Sequence, residues 1–379
     1  MDQFTARWNP DSGWSRPLPS WDGPGTLVLV FGSSSLLDDD TPLHAVQDAY
    51  PSSTMIGCST SGEILGEGVD DDSLSVAVAR FEHTSVALEV EPVNQSSSAE
   101  VGLNIGRRLL EHEKDLAAVF VLSDGLDVNG SALAEGLTAG TGGSVIITGG
   151  LAGDGSRFVR TWVLVDGRPQ VSHVTAIGLY GTELEVGFGS NGGWTVLGPE
   201  RLITRSEGNV LLELDGLPAL EVYKSYLGER AAGLPATALL FPLAVRASGA
   251  SDREVVRTIL AVDESEQSMT FAGDVPQGST AQLMRGTTER LVDAAQAAAV
   301  SARLPGDAPS LAIAVSCVGR RLYLGQRVED ELEATTSGLG PSCGLVGFYS
   351  YGELSPLSPG TCDLHNQTMT ITVLRERAA

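Results

Sequence analysis

Cysteine, histidine, lysine and long apolar runs are all scarce in this chain. Four cysteines (Cys58, Cys317, Cys343, Cys362) at unrelated spacings among 379 residues do not make a disulfide framework, and none forms a C-x-x-C pair. Five histidines show no metal-ligand spacing. No run approaches the ~18 apolar residues of a membrane span, and MDQFTARWNP has neither the basic nor the apolar region of a signal peptide. The expected location is therefore cytoplasmic. Positive charge is also short: 24 basic residues face 48 acidic ones, a net charge of -24, and only Lys114 and Lys224 are lysine. A field of that sign repels phosphates and anionic lipid, which argues against nucleic acid and membrane partners.

What is abundant is glycine, and it is patterned. Residues 1–26 read as an extended Pro/Gly-rich arm whose Trp8, Trp14 and Trp21 pack on the body. Then TLVLVFG reads as a buried strand, and TPLHAVQDAYP as a helix with Thr41 as N-cap and Pro42 in the first turn. STMIG is a second strand, which ends in GCSTSGEI, Gly57 to Ile64. The order returns as AAVFVLSDG, SALAEGLTAG and SVIITGG, closing on Ala152-Gly153-Asp154. It appears again as SLAIAVSC, QRVEDELEATT and CGLVGFYSYGEL. The flanking elements correspond as well, with FVRTWVLVDG and TMTITVLRER each closing a copy as strands.

This is an α/β pattern of mixed sheets in layers, built as two diverged ββαβαβ-type halves, a pseudo-duplication joined near 215–250. Ligands in such folds bind where strands end, so the expected site is a cleft at the strand-end loops.

The opening motif misses the catalytic signatures it approaches. A P-loop needs Lys where Glu63 stands, and a nucleophile elbow needs Gly two residues after Ser59. Cys58 has no local His or Lys to lower its pKa and reads as a buried, unreactive thiol. Three carboxylates, Glu63, Asp154 and Glu353, each follow a glycine in equivalent turns. Arg320 and Arg321 follow another strand, and an arginine there can grip a carboxylate or phosphate. His365, in LHNQT, fits a strand-edge residue, a general base or a haem axial ligand.

Five motifs in one order then give a resemblance: GCSTSGEI, GGLAGDG, GNVLLELDGLPALEVY, SCVGR with LGQRVEDE, and GFYSYGEL followed by LHNQT. Together they resemble the FIST proteins, a FIST N domain followed by a FIST C domain. The resemblance implies an N-terminal arm over 1–26, a FIST N domain over 27–220 and a FIST C domain over 221–379. It implies a ligand-sensing module of signal transduction, with small molecules such as amino acids as ligands. Some members bind haem, sense nitric oxide and act on histidine kinases.

The leading expectation is a non-enzymatic sensor, without cofactor, that binds a small polar metabolite and signals through a separate partner such as a histidine kinase. Its candidate ligand residues are Cys58, Ser59, Ser61, Glu63, Asp154, Cys317, Arg320, Tyr349, Glu353 and His365. Arg320 would hold an anionic group and one of the carboxylates a cationic one. The alternatives are a haem-based nitric-oxide sensor and a cysteine-dependent enzyme with His365 as base.

Overall fold

The computed structural model describes residues 1–247, 254–357 and 360–377. It is a mixed-sheet α/β protein, as the pattern predicts, and its strand pairings resolve three units within the two-domain plan.

Each unit is a parallel strand–helix–strand. The first runs through Thr26–Gly32, helix Thr41–Ala49 and Thr54–Ser59; the second through Leu116–Ser123, helix Gly130–Gly140 and Ile146–Leu151. The third runs through Ser310–Cys317, helix Val328–Leu339 and Cys343–Ser350. On the other side of each first strand lies an antiparallel neighbour: Leu74–Arg80, His173–Tyr180 or Met369–Glu376. The N-terminal arm is more than a strap, since Asp2–Asn9 pairs with Leu74–Arg80 along its length. Trp8, Trp14 and Trp21 pack half-buried against the first unit's outer core.

The units exchange strands in a cycle. After the first unit, Glu63–Leu65 crosses to pair with Cys343–Ser350 of the third. After the third, Gly352–Ser355 pairs with Ile146–Leu151 of the second. After the second, Val163–Val165 pairs with Thr54–Ser59 of the first. The central core is drawn from all three, with Leu29 and Phe31, Phe120 and Leu122, and Ile313, Val315 and Phe348 buried together. Among the described residues, a fourth sheet of nine strands over 195–285 draws on both sides of the 215–250 join and carries its own core.

Glycine is required where each second strand presses on its parallel partner. A Cβ at Gly57 would lie 2.3 Å from the Val30 carbonyl oxygen, at Gly149 1.9 Å from that of Val121, and at Gly347 2.0 Å from that of Ala314. These are the first glycines of the three motifs read in the sequence.

Two local expectations differ in detail. Asp40, not Thr41, is the N-cap of the first helix, because Thr41 turns its amide and hydroxyl to Asp39 at 3.1 and 2.6 Å. In FVRTWVLVDG only Val163–Val165 is strand, because the amides of Phe158, Val159 and Arg160 are taken by Asp154.

Candidate functional site: a cleft at the exchanged turns

The cyclic exchange forces the three glycine turns together. The Ser61 amide donates to the Tyr349 carbonyl at 2.7 Å, and the Tyr349 amide to the Gly62 carbonyl at 3.0 Å. Tyr351 donates to Leu151 at 3.2 Å, and Gly153 to Ser59 at 3.0 Å, which closes the circle. Gly62 sits at φ +134, and a Cβ there would lie 2.6 Å from the Arg321 guanidinium.

Glu63 and Glu353 are held alike. Glu63 accepts from the Thr60 hydroxyl, three residues back, and from the Ser73 amide and hydroxyl at 3.1 and 2.9 Å. Glu353 accepts from Ser350, again three residues back, at 2.7 Å, and from the Thr368 amide and hydroxyl at 3.1 and 2.8 Å. Ser73 and Thr368 each precede the antiparallel strand of their unit. Burial pushes the Glu63 carboxyl up to about 7 and Glu353 to about 8, against the pull of these donors.

Asp154 behaves differently. Its burial would raise it, but the Tyr351 hydroxyl and the amides of Arg160, Val159 and Phe158 outweigh that and hold it below the usual range. It braces a loop. In the second unit a comparable cradle belongs to Asp124, which takes the Thr161 hydroxyl at 2.8 Å and the Ser172 amide at 3.2 Å. Sequence reading missed Asp124, since it precedes a glycine, Gly125, where the other three carboxylates follow one.

A cleft of about 500 Å³ opens at the junction of the first two turns with the short helix Val318–Leu324. Its walls include Ser61, Glu63, Asp71, Asp72, Arg157 and Arg321. Arg321 donates to the Ser61 carbonyl at 2.5 Å and to both Asp71 oxygens at 2.7 and 2.8 Å, and lies over the Tyr349 ring. That paired hydrogen bond holds Asp71 below the usual range despite its partial burial. Arg157 is 58% exposed, donates to Ser34 at 3.1 Å, and stands 3.9 Å from Asp154. The Ser61 hydroxyl accepts the Gly155 amide at 3.0 Å and so ties the two turns.

Other predicted site residues lie elsewhere. Arg320 is fully buried: it pairs with Glu331 at 2.7 Å and donates to the carbonyls of Gly192 and Leu291 at 2.6 and 2.8 Å. Its guanidinium is inside the protein, so the cationic wall falls to Arg321 and Arg157. Tyr349 is also internal, its hydroxyl donating to Glu331 at 2.7 Å, and Glu353 does not line the cleft. Ser59 accepts the buried Trp162 amide at 3.0 Å. Cys58 and Cys317 are buried, which pushes both thiols up and leaves them poor nucleophiles. His365 is buried on a strand, with Nε2 3.0 Å from the Ser355 carbonyl, and borders a separate cavity. Among the described residues, no three His, Cys, Asp or Glu side chains are grouped to hold a metal, and no helix is long and apolar enough to cross a membrane.

With this geometry in hand, comparison with known proteins is specific at the family level. The FIST N domain profile matches residues 26–217 and the FIST C domain profile residues 219–356, most of the chain. An uncharacterized protein of Methanocaldococcus jannaschii is 25% identical over 215 residues, which is 54% of this chain and 42% of that protein. The chain thus aligns with less than half the length of that curated relative. A crystal structure of cyanuric acid hydrolase from A. caulinodans superposes over 100% of this chain and 99% of its own. Its TM-score is 0.32 and its identity 12%, a likeness that says nothing about chemistry.

Proposed function

The chain belongs to the FIST family, a FIST N domain followed by a FIST C domain, and from that premise we propose a non-enzymatic sensor for a small polar metabolite of amino-acid type. FIST domains are associated with sensory signal transduction and small-ligand binding. The observation that carries the finer reading is the 500 Å³ cleft, which gathers both signs of charge and a hydroxyl around one opening. A zwitterion needs that combination. Arg157 is the available cation, because Arg321 is already bidentate on Asp71. The ligand carboxylate goes to Arg157 and its ammonium to Asp72 and to the lone pairs that Asp71 keeps beside its bonds to Arg321. Occupancy is passed to a separate cytoplasmic signalling protein, a histidine kinase being one such partner.

The test is a thermal-shift series with free amino acids on the wild type and on Arg157→Ala. Arg157 is mostly exposed and stands 3.9 Å from an Asp154 that keeps its backbone donors, so the unliganded variant should melt within about 1 kcal/mol of wild type. Loss of one charge-assisted anchor should weaken the ligand by roughly 10- to 100-fold. Equal shifts in both proteins end this assignment.

The alternatives find less support. Holding a haem through His365 Nε2 would displace its contact with the Ser355 carbonyl, and the cavity beside it mixes Glu254, Ser190 and Asn191 with Phe188, Trp194 and Met284. The thiols that a cysteine-dependent enzyme would use are the buried Cys58 and Cys317.

A further inference from the structure

The charged cleft does not end at its own walls. Ser156 and Leu322 also line a second cavity of about 570 Å³, so the two adjoin at these side chains. The second cavity lies between the Asp154 loop of the N-terminal domain and two segments of the C-terminal domain, 233–240 and Ile259–Leu260. Its walls are apolar: Phe158, Leu234, Leu240, Ile259, Leu260 and Leu322. Three of these are unusually open for large apolar side chains, Phe158 at 36%, Leu260 at 40% and Leu322 at 43%. Exposed apolar groups that face one another across a concave wall mark a place where something apolar sits.

Phe158 is itself held in an unfavourable backbone conformation, φ +54, which side chains other than glycine seldom adopt. Asp154 accepts its amide at 2.8 Å, and its ring stacks on Tyr351 at 4.4 Å and 13°. The fold therefore fixes an aromatic face at this wall and accepts strain to keep it there. The same Asp154 loop carries Arg157, one residue away, into the charged cleft.

We infer that the ligand is amphiphilic: an amino acid whose charged end binds at Arg157, Asp71 and Asp72, and whose branched or aromatic side chain enters the second cavity past Ser156 and Leu322. Phe158 and Leu260 then set specificity. This inference rests on the reading of the charged cleft given above.

The experiment compares glycine, alanine, leucine and phenylalanine by calorimetry on the wild type and on Leu260→Ser. Leu260 is 40% exposed on the strand Ile259–Asp263, so the variant keeps its fold. Leucine or phenylalanine should bind roughly 10- to 200-fold more tightly than alanine, the range available to apolar pockets. In Leu260→Ser that preference should shrink several-fold while alanine binds as before. Glycine and alanine binding as tightly as phenylalanine would overturn the apolar arm and leave the charged cleft standing. Binding of none of the four would overturn both.

Discussion

Replacing Arg320 by alanine should unfold much of the protein's margin, whereas the same change at its neighbour Arg321 should not. Arg320 and Glu331 are both fully buried, 2.7 Å apart. Without the guanidinium, Glu331 keeps only the Ser316 and Tyr349 hydroxyls, at 3.1 and 2.7 Å, and the carbonyls of Gly192, Leu291 and Gln367 lose a donor. Breaking one side of a buried pair costs about 3–5 kcal/mol, a large share of a typical 5–15 kcal/mol stability. Arg321 pairs with an Asp71 that is 65% exposed and gives one further bond to the Ser61 carbonyl, so its loss should cost about 1–2 kcal/mol. The assay is urea denaturation of both variants and of the double variant Arg320→Met/Glu331→Leu. The double variant should recover most of the loss, since no charge is left stranded. Equal midpoints for Arg320→Ala and Arg321→Ala, or a double variant worse than Arg320→Ala, would refute this reasoning.

Two further outcomes are expected. Alanine at Gly57, Gly149 or Gly347 puts a Cβ within 2.3 Å of a neighbouring strand's carbonyl oxygen, so each should lose about 1–3 kcal/mol. Gly149 should lose most, because its φ of +146 adds backbone strain; a neutral Gly149→Ala would contradict the close packing of this strand on its parallel partner. Stability should also fall as pH rises from about 5 to 9. Glu63 and Glu353 bind protons more tightly folded, at about 7 and about 8, than in the unfolded chain. Their contribution is therefore complete below about pH 4.5 and lost as pH passes through those values. For Glu63 the loss is up to about 3 kcal/mol. Melting curves across that range should flatten in Glu63→Gln and Glu353→Gln, and unchanged slopes would show that these carboxyls do not titrate there.

How much of this was legible in the sequence depends on the range of the interaction. The strand–helix–strand units were visible because their apolar runs, helix stops and glycine turns are local. Even the cradles left a trace, in the hydroxyls three residues before Glu63 and Glu353. The exchange of strands was not visible, because Glu63–Leu65 meets Cys343–Ser350 across some 280 residues, and three-residue strands carry no register of their own. The choice between Arg320 and Arg321 failed for a related reason. In the helix Val318–Leu324, adjacent residues point about 100° apart, so one must face inward and the other the cleft. Seven residues are too few for periodicity to say which, and the deciding partner, Glu331, lies in the next long helix. Arg157 was passed over because it falls between the Asp154 turn and a strand read from Phe158, yet the Asp154 carboxylate, by taking three consecutive amides, keeps the start of that strand a loop. The site is therefore a product of the exchange: the second unit contributes the loop, the first the acidic turn and the third the helix, and no single unit holds the cleft alone.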